Sequence, residues 1–416
     1  MISVEDARNY ILKHFAPLEA ERVNLLDALN RVLAEDVIAE MNVPPFNNSA
    51  MDGYAMRAED IAHASRDHPV ALQVIGDVAA GYTATRAVEP GTAMRIMTGA
   101  PMPPGADTVV RFEETSEGVQ GRAATKGRDT VEILVAMKRG DNERAAGEDI
   151  RAGQIVLPRG TVVRAAEIGV LASIGKNQVA THRRPRVAIL ATGDELVALD
   201  EPIAPGKIRN SNEYSNAAAV LQAGGIPIRL GIARDNIADL TAKIRAGLNA
   251  DADLFLTSAG VSVGDYDIVK DVLNAEGAMH FWQVKMKPGK PLAFGILRGK
   301  KEVPLLGLPG NPVSALISFE TFARPAILTM LGKTNFARPT VRAILDEDVE
   351  NSSDRRNFIR VRVEQRDDQL IARTTGEQGS GVLTSVSKAN GLLVVPENVT
   401  RVRAGTSVEI QMLDWN

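Results

Sequence analysis

The sequence predicts a multi-domain protein in which a doubly wound α/β domain is combined with two β-rich parts. From Pro185 onward, continuous apolar runs alternate with amphipathic helical segments, a pattern that is typical of parallel strands buried on both faces. Short β-prone runs separated by glycine and proline fill residues 69–149, and similar runs follow Gly332. The chain has 416 residues, more than a single hydrophobic core usually supports, so several domains are expected.

Apolar residues at helical spacing flank the first β-rich part. Residues 3–35 are predicted to be helical, and a second helical stretch, residues 164–174, ends at Gly175. The β-rich part between them is therefore predicted to be inserted into a discontinuous helical domain. The predicted domains are a helical and linker domain over 1–45 and 150–182, an inserted β-rich domain over 46–149, an α/β domain over 183–332 and a C-terminal β domain over 333–416.

Acidic residues follow three predicted strands of the α/β domain. The runs and their acids are 187–190 with Asp194 and Glu195, 226–232 with Asp235, and 254–257 with Asp265 and Asp267. Ligands of open α/β sheets bind beyond the carboxyl ends of the strands, and carboxylates there suit a hard cation such as Mg²⁺. Any one of these acids could instead cap a helix or face solvent. As a set, they predict a cation site.

Two neighbouring segments could receive an anion. The loop from Gly260 to Gly264 allows close backbone approach and precedes a predicted helix, whose first N–H groups attract negative charge. A second segment carries three lysines among turn residues and is followed by the start of another helix: Lys285, Lys287 and Lys290, then residues 308–312. A solvated turn would look the same in isolation, but beside the acidic loops the lysines favour an oxyanion site.

The amino-acid composition and the absence of certain motifs exclude several kinds of catalytic site and partner. The chain has no cysteine, which excludes thiol nucleophiles and thiolate zinc sites and is typical of a reducing compartment. The five histidines show no paired ligand spacing, and neither a GxSxG nor a GxxxxGK[ST] motif is present. A net charge of −4 without a basic stripe argues against nucleic acid as a partner. With no apolar run long enough for a bilayer and no signal-peptide pattern, a cytoplasmic protein without membrane partners is expected.

Seven motifs in order resemble those of one family. They are NNSAMDGYA (47–55), RIMTGAP (95–101), GEDI (147–150), TGDEL (192–196), GVSVGD (260–265), KPGKP (287–291) and LPGNPVS (308–314). Together they closely resemble the molybdopterin molybdenumtransferases, the MoeA and gephyrin E-domain family, from the N-terminal helices to about Ser385. The resemblance implies a MogA-like α/β domain and a small C-terminal β-barrel.

The resemblance also implies a reaction. Adenylylated molybdopterin and molybdate would be the substrates, molybdenum cofactor and AMP the products, and Mg²⁺ the cofactor. The cation and the pyrophosphate would be held by Glu195, Asp235 and Asp267. Substrate or oxyanion contacts would come from Asp194, Gly260, Ser262, Gly264, Lys287, Lys290, Pro291, Pro309 and Asn311, and, in the last domain, from Arg356 or Arg360 and Ser380.

Family members are elongated homodimers with a composite cleft, so the resemblance assigns Asp52, Thr98 and Asp149 to a site shared between subunits. Composition by itself does not assign these residues, because most such aspartates serve turns. Gln283 stands where some members have a lysine, a role that Lys285 could take over. An upstream molybdopterin adenylyltransferase is an implied partner.

Two other functions stay open on sequence alone. The α/β domain of this family is shared with molybdopterin adenylyltransferases, which act one step earlier. A non-catalytic binding scaffold is the second alternative, since the gephyrin relative also binds receptor peptides. Tungstate could also replace molybdate, because both tetrahedral oxyanions suit the same lysine and backbone contacts.

Overall fold

The computed structural model describes residues 1–120, 129–258, 272 and 275–413. These residues belong to two compact units, one formed by Arg22–Val179 and the other by Met1–Glu21 with Ala180–Asn416. The expected combination of an α/β domain with β-rich parts is confirmed. Among the helices of the described ranges, none is long and apolar enough to cross a membrane.

The α/β domain is built on a six-stranded sheet. Its strands, in spatial order, are Ile226–Ala233, Arg186–Thr192, Leu254–Ser258, Glu302–Leu308, Pro291–Arg298 and Gly277–Gln283. The first four run parallel to one another, as predicted, and Pro291–Arg298 runs antiparallel to both of its neighbours, Glu302–Leu308 and Gly277–Gln283. The strands Pro291–Arg298 and Gly277–Gln283 were not predicted. The turns before and after Pro291–Arg298 are too short for a helical crossover, so the flanking strands can only pair antiparallel.

Side chains of the central strands alternate between two cores. Val187 and Ile189 pack on one face with helix Ser211–Gln222 and the helical segment that starts at Pro312. Ala188 and Leu190 pack on the other face with helix Ile237–Asn249. All four side chains are fully buried. Helices therefore cover both faces, which explains why these strands read as continuous apolar runs.

The predicted helix over residues 313–331 is an irregular helical segment. An α-helix, Pro312–Ser318, passes into a π-helical turn, Phe319–Ala323, and then into a second α-helix, Arg324–Met330. Pro325 has no N–H to donate to the preceding turn, and a local change of helical pitch accommodates it. The segment stays continuous and buries its apolar side against the sheet.

The N-terminal helix is shorter than predicted. It covers Val4–Leu12, is capped by Ser3, and buries Val4 and Ile11 against the core of the α/β domain. The expectation of helix up to residue 35 is wrong, because the chain then forms a strand, Ala20–Asn24, and a 3-10 turn, Leu25–Ala28. Pro17 explains the stop, since its ring prevents the helix from continuing.

Residues after Gly332 form a closed β-barrel. Its strands, in order around the barrel, are Arg356–Arg366, Gln369–Thr374, Thr340–Leu345, Ser407–Met412 and Gly391–Val395, and the last pairs again with the first. Ile359 and Val361 belong to its core. Closure leaves these five strands without a free edge. The short strand Met286–Lys287 pairs with the start of Arg356–Arg366, which fastens the lysine segment to the barrel.

The other unit contains the inserted β-rich part. Five strands form its sheet in the order Thr108–Arg111, Gly53–Met56, Thr92–Ile96, Val70–Val78 and Thr130–Ile133. Two short pairs accompany the sheet, Asn48–Ser49 with Glu143–Arg144 and Val37–Ile38 with Ile155–Leu157, and one helix follows, Ala165–Ser173. Gly53 is required by close packing, because a Cβ there would lie 1.9 Å from the carbonyl oxygen of Val110.

Candidate active site

Asp194 and Asp235 lie side by side at the carboxyl end of the α/β sheet. Each carboxylate accepts a hydrogen bond from the backbone N–H of the other residue, both at 3.3 Å. Asp194 follows the strand Arg186–Thr192, and Asp235 follows Ile226–Ala233. In the sheet, Arg186–Thr192, the first of these strands along the chain, lies between Ile226–Ala233 and Leu254–Ser258. This order places the switch point of the sheet, where ligands bind in open α/β folds, at the end of the first strand. The structure thus brings two of the predicted acids together.

Glu195 turns back over the loop that carries Asp194. Gly193 has a φ of 137°, and a Cβ at this position would lie 2.3 Å from Oε2 of Glu195. A backbone with this φ favours glycine, because L side chains rarely adopt it. The TGDEL motif therefore combines two acidic side chains, both exposed, with the residue type that this turn favours.

A cavity of about 690 Å³ brings six of the predicted oxyanion residues together. Glu195 and Ile208 line its side nearest the acidic loops. The lysine segment, the start of helix Pro312–Ser318 and a loop of the barrel line the rest, with Lys287, Lys290, Pro291, Pro309, Asn311 and Ser380. Cationic side chains, backbone at a helix start and a carboxylate thus face one space, a composition that suits a negatively charged substrate.

The lysine segment is held by its backbone. The N–H of Val284 donates to the carbonyl of Lys290 at 2.7 Å, closing a tight turn. Gly289 has a φ of 106°, and a Cβ there would lie 2.7 Å from Oγ of Ser318. Because the turn is held in place, Lys287 and Lys290 reach the cavity from a rigid base.

Of the neighbouring arginines, Arg355 lines the cavity and Arg356 does not. Arg356 instead forms ion pairs with Glu5 and, at 3.3 Å, with Glu397. Arg355 lies in the bend before the strand Arg356–Arg366, whereas Arg356 is the first residue of that strand, and the two side chains enter different spaces. Sequence reasoning named Arg356 and missed Arg355. No local pattern separates the two arginines, because the bend at Arg355 and the ion pairs of Arg356 form only in the folded chain.

Arg360 lies inside the protein, away from the lining of the cavity. It is 1% exposed, and it donates from Nε to Oγ of Ser385 at 3.3 Å and from Nη1 to the carbonyl of Phe358 at 3.2 Å. Burial lowers the pKa of its guanidinium to about 10. The backbone N–H of Arg360 also binds the side chain of Gln378, at the base of the loop that carries Ser380 into the cavity.

Asp52 and Thr98 are joined in the other unit. Oδ1 of Asp52 accepts hydrogen bonds from the N–H and the hydroxyl of Thr98. Asp149, which is exposed, lies on a loop whose Gly147 N–H donates to the carbonyl of Pro44. Asn47 connects the segment after Thr98 with the segment before Asp149. Its side chain donates to Glu143 and accepts from the N–H of Ala146, and its backbone carbonyl accepts from the N–H of Met102.

Comparisons with known proteins match the chain over its whole length. Family models cover residues 2–175 (MoeA N-terminal region, domain I and II), 188–329 (probable molybdopterin binding domain) and 342–413 (MoeA C-terminal region, domain IV). A molybdopterin molybdenumtransferase from Nostoc sp. is 38% identical over 99% of this chain and 94% of the relative. The chain belongs to the MoeA family.

Other MoeA relatives agree. A protein named molybdopterin molybdenumtransferase 2 from Mycobacterium tuberculosis is 37% identical over 99% of both chains. The crystal structure of the molybdopterin biosynthesis moeA protein from Pyrococcus horikoshii superposes with a TM-score of 0.82, at 30% identity, over 99% of this chain and 100% of that one. The family predicted from the seven motifs is therefore confirmed, and with it the class of enzyme, a transferase of molybdenum cofactor biosynthesis.

Several residues assigned through the MoeA resemblance lie outside the described part of the chain. These are Gly260, Ser262, Gly264 and Asp267, together with Asp265. Among the residues that the structure does describe, no three His, Cys, Asp or Glu side chains are arranged to hold a metal ion. The neighbouring carboxylates of Asp194 and Asp235 are nevertheless hard oxygen donors, and Mg²⁺ commonly binds through one or two carboxylates, water and substrate phosphate. The donor set therefore fits Mg²⁺.

Proposed function

We propose that this protein is a molybdopterin molybdenumtransferase, which inserts molybdate into adenylylated molybdopterin and releases AMP. The cavity of about 690 Å³ carries the proposal, because its lining combines Lys287, Lys290 and Arg355 with Glu195, which follows Asp194 of the Asp194–Asp235 pair. Both substrates are anions, and both would meet cationic groups there. The acidic loops adjoin this space, where a phosphoanhydride could be oriented.

Cationic residues bind the oxyanions in this proposal. Lys287 and Lys290 supply point charges, while the planar guanidinium of Arg355 can donate two parallel hydrogen bonds to one tetrahedral oxyanion. Ser380 and Asn311 add neutral polar contacts from the barrel loop and from the helix start. Together these groups bind and orient the substrates, which lowers the barrier by fixing the reacting atoms.

Acidic residues hold the cation in this proposal. Asp235, beside Asp194, would bind Mg²⁺ together with water and substrate phosphate, and Glu195 and Asp267 are the further predicted ligands. When bound, Mg²⁺ supplies Lewis-acid polarisation of phosphate oxygens. The reciprocal hydrogen bonds between Asp194 and Asp235 keep these two carboxylates oriented when the site holds no substrate.

We further propose that the enzyme acts as a homodimer in the cytoplasm. Asp52, Thr98 and Asp149 would complete the site of a second copy. The two hydrogen bonds from Thr98 hold the carboxylate of Asp52 in one orientation, which supports this assignment. The adenylylated substrate must come from an enzyme that transfers AMP to the pterin, so an upstream adenylyltransferase is the expected partner.

The two alternative functions are less well supported. The named relatives that match 99% of this chain are molybdenumtransferases, and matches to the MoeA-specific N-terminal and C-terminal regions accompany the α/β domain. Adenylyl transfer from ATP is therefore not favoured. A scaffold without catalysis would not need a cavity that gathers two lysines, an arginine and a glutamate.

Turnover with defined substrates tests the proposal. Purified protein is supplied with adenylylated molybdopterin, molybdate and Mg²⁺, and AMP and molybdenum cofactor are quantified over time. Lys290→Met should lower the rate by about tenfold or more through loss of a charge-assisted contact, whereas Lys388→Met, an exposed lysine of the barrel, is the matched control. Product levels equal to a protein-free blank would refute the proposal, and ATP consumption without molybdate would favour adenylyl transfer instead.

A further inference from the structure

Three cationic side chains converge on the backbone of the loop that carries Asp194 and Glu195. Nζ of Lys207 donates to the carbonyl of Asp194 at 2.5 Å, and Nη1 of Arg234 donates to the carbonyl of Leu196 at 3.0 Å. Nη1 of Arg209 lies within hydrogen-bond distance of three carbonyls, those of Ala198, Leu199 and Glu201. Five consecutive or nearly consecutive residues of one loop are thus bound through their carbonyl oxygens.

Arginines elsewhere in this unit bind either backbone carbonyls, as Arg184 does at Gly224 and Gly225, or carboxylates. Arg183 binds the carboxylate of Asp253, and Arg229 binds that of Glu213. Within the described residues, none of Lys207, Arg209 and Arg234 has a carboxylate within ion-pair distance, although several acids lie in the loop. The three cations bind the backbone of the acidic loop and leave its carboxylates available.

Binding of the cations to backbone carbonyls places positive charge near Asp194 and Asp235 without covering their carboxylates. Asp194 and Asp235 lie close enough for mutual backbone hydrogen bonds, so two like charges are held together. A cation that paired directly with either carboxylate would relieve the repulsion, but it would also occupy the oxygen atoms that a ligand needs. A cation bound to a neighbouring carbonyl supplies countercharge and fixes the loop without blocking those atoms.

Lys207 has the most direct position of the three. Its bond ends on the backbone of Asp194 itself, and the next residue, Ile208, donates its N–H to the carbonyl of Glu195 at 2.8 Å. Ile208 is also paired in parallel register with Leu196. The segment around Lys207 therefore holds both residues that carry the acidic side chains.

We propose that Lys207 is a positioning residue of the active site, which orients Asp194 and Glu195 through the carbonyl oxygen of Asp194. The assignment rests on the proposed function for its catalytic consequence, but its structural consequence can be measured without turnover. Arg209 and Arg234 hold the far part of the same loop. Lys207 sets the part next to the substrate.

The test compares three variants in the full-length protein. Lys207→Met removes the donor and keeps a flexible side chain, and Lys207→Arg restores a cationic donor. Lys243→Met is the matched control, because Nζ of Lys243 also donates to a backbone carbonyl of this domain, that of Leu230 at 2.7 Å. Neither Lys243 nor Leu230 belongs to the acidic loop. Each variant is followed by hydrogen exchange of the peptide containing residues 193–201, by thermal unfolding and by steady-state kinetics.

Lys207→Met should speed exchange in this peptide about tenfold, while Lys243→Met should leave it unchanged. In turnover, kcat should fall about tenfold with the KM for the pterin substrate within about twofold, because orientation acts on the reacting geometry more than on binding. Lys207→Arg should recover most of both effects. Thermal unfolding should shift similarly in Lys207→Met and in Lys243→Met.

Each failure points to a different conclusion. Unchanged exchange and unchanged kcat in Lys207→Met would overturn the positioning role. A fall in kcat that Lys243→Met reproduces, in proportion to lost thermal stability, would also overturn it, because general destabilisation would then explain the effect. If the wild-type protein itself gives no turnover, the proposed function fails, and the exchange measurement still decides whether Lys207 holds the loop.

Discussion

Asp52 holds Thr98 through a single carboxylate oxygen, which accepts the backbone N–H at 2.7 Å and the hydroxyl at 2.8 Å. Both residues are exposed, so these bonds contribute little to the stability of the fold. The two hydrogen bonds fix the orientation of the Asp52 carboxylate. A substitution of Asp52 can therefore change activity without changing the stability of the fold, which allows the role of the pair to be tested.

Asp52→Ala should lower kcat by about tenfold or more, because it removes the oriented carboxylate, while the melting temperature stays within about 3 °C of wild type. Thr98→Val removes the hydroxyl donor but keeps the N–H donor, and a smaller loss of about threefold is expected. Steady-state kinetics and thermal unfolding measure both. Wild-type turnover in Asp52→Ala would show that the carboxylate only serves its turn.

Arg355 and Arg356 should give opposite phenotypes although they are adjacent. Arg355→Met should weaken molybdate binding about tenfold or more, because the side chain lines the cavity, and should leave stability nearly unchanged. Arg356→Met should reduce stability, because it removes the ion pairs with Glu5 and Glu397. Calorimetric titration with molybdate and urea unfolding separate the two effects. Equal loss of molybdate binding in both variants would contradict the assignment.

Gly289 should not tolerate a side chain. At a φ of 106°, Gly289→Ala introduces backbone strain, and its Cβ would lie 2.7 Å from Oγ of Ser318. We expect a loss of about 1–3 kcal/mol in the free energy of unfolding, measured in urea. Combining it with Ser318→Ala should recover the part due to the close contact but not the part due to the backbone. If the losses of unfolding free energy in the two single variants simply add in the double variant, the contact between the new Cβ and Oγ of Ser318 contributes nothing.

Asp253 should make stability depend on pH in the acid range. Burial tends to raise the pKa of its carboxyl, but hydrogen bonds from Arg183, Lys301 and the N–H of Arg186 outweigh burial and lower the pKa below the ordinary value of 3.8. A carboxyl with a lowered pKa in the folded state stabilises the fold at pH values above the unfolded pKa. That contribution is lost as the pH falls below 3.8 towards the folded pKa.

Asp253→Asn should therefore destabilise the protein at pH 7 by about 3 kcal/mol, because Arg183 is left without its buried partner. The difference from wild type should shrink below about pH 4. Urea unfolding at several pH values measures it. Glu276→Gln is a suitable control, since Glu276 pairs with the exposed Arg245 and should show a small difference at every pH. A gap between wild type and Asp253→Asn that stays constant down to pH 3 would contradict this explanation.

Some parts of the site could be anticipated from local patterns. Glu195, Lys287 and Lys290 were expected near one another, because Glu195 follows a parallel strand and the lysine segment was expected beside the loops at that end of the sheet. The cavity joins them. The pairing of Asp194 with Asp235 follows from the same rule, although no pattern in the sequence reveals that each accepts the other's N–H.

Other parts depend on partners that are distant along the chain. The strands Gly277–Gln283 and Pro291–Arg298 exist because they pair with each other and with Glu302–Leu308, and their composition did not separate them from the lysine turn. The choice between Arg355 and Arg356 depends on the bend that precedes one barrel strand and on the partners that Arg356 meets in the folded chain. Arg356, which does not line the cavity, forms an ion pair with Glu5 of the N-terminal helix.

By itself, the sequence determined the family and the doubly wound core and predicted the acids and lysines of the candidate site, because these follow from short-range periodicity and ordered motifs. The tertiary structure alone decided the antiparallel edge of the sheet, the arginine that faces the cavity and the cations that hold the acidic loop. Lys207 shows the difference most clearly, since neither its residue type nor its position in a turn predicts a bond to Asp194. Such a bond depends on two segments that meet only when the chain is folded, and non-local meetings of this kind leave no periodic signal in the sequence.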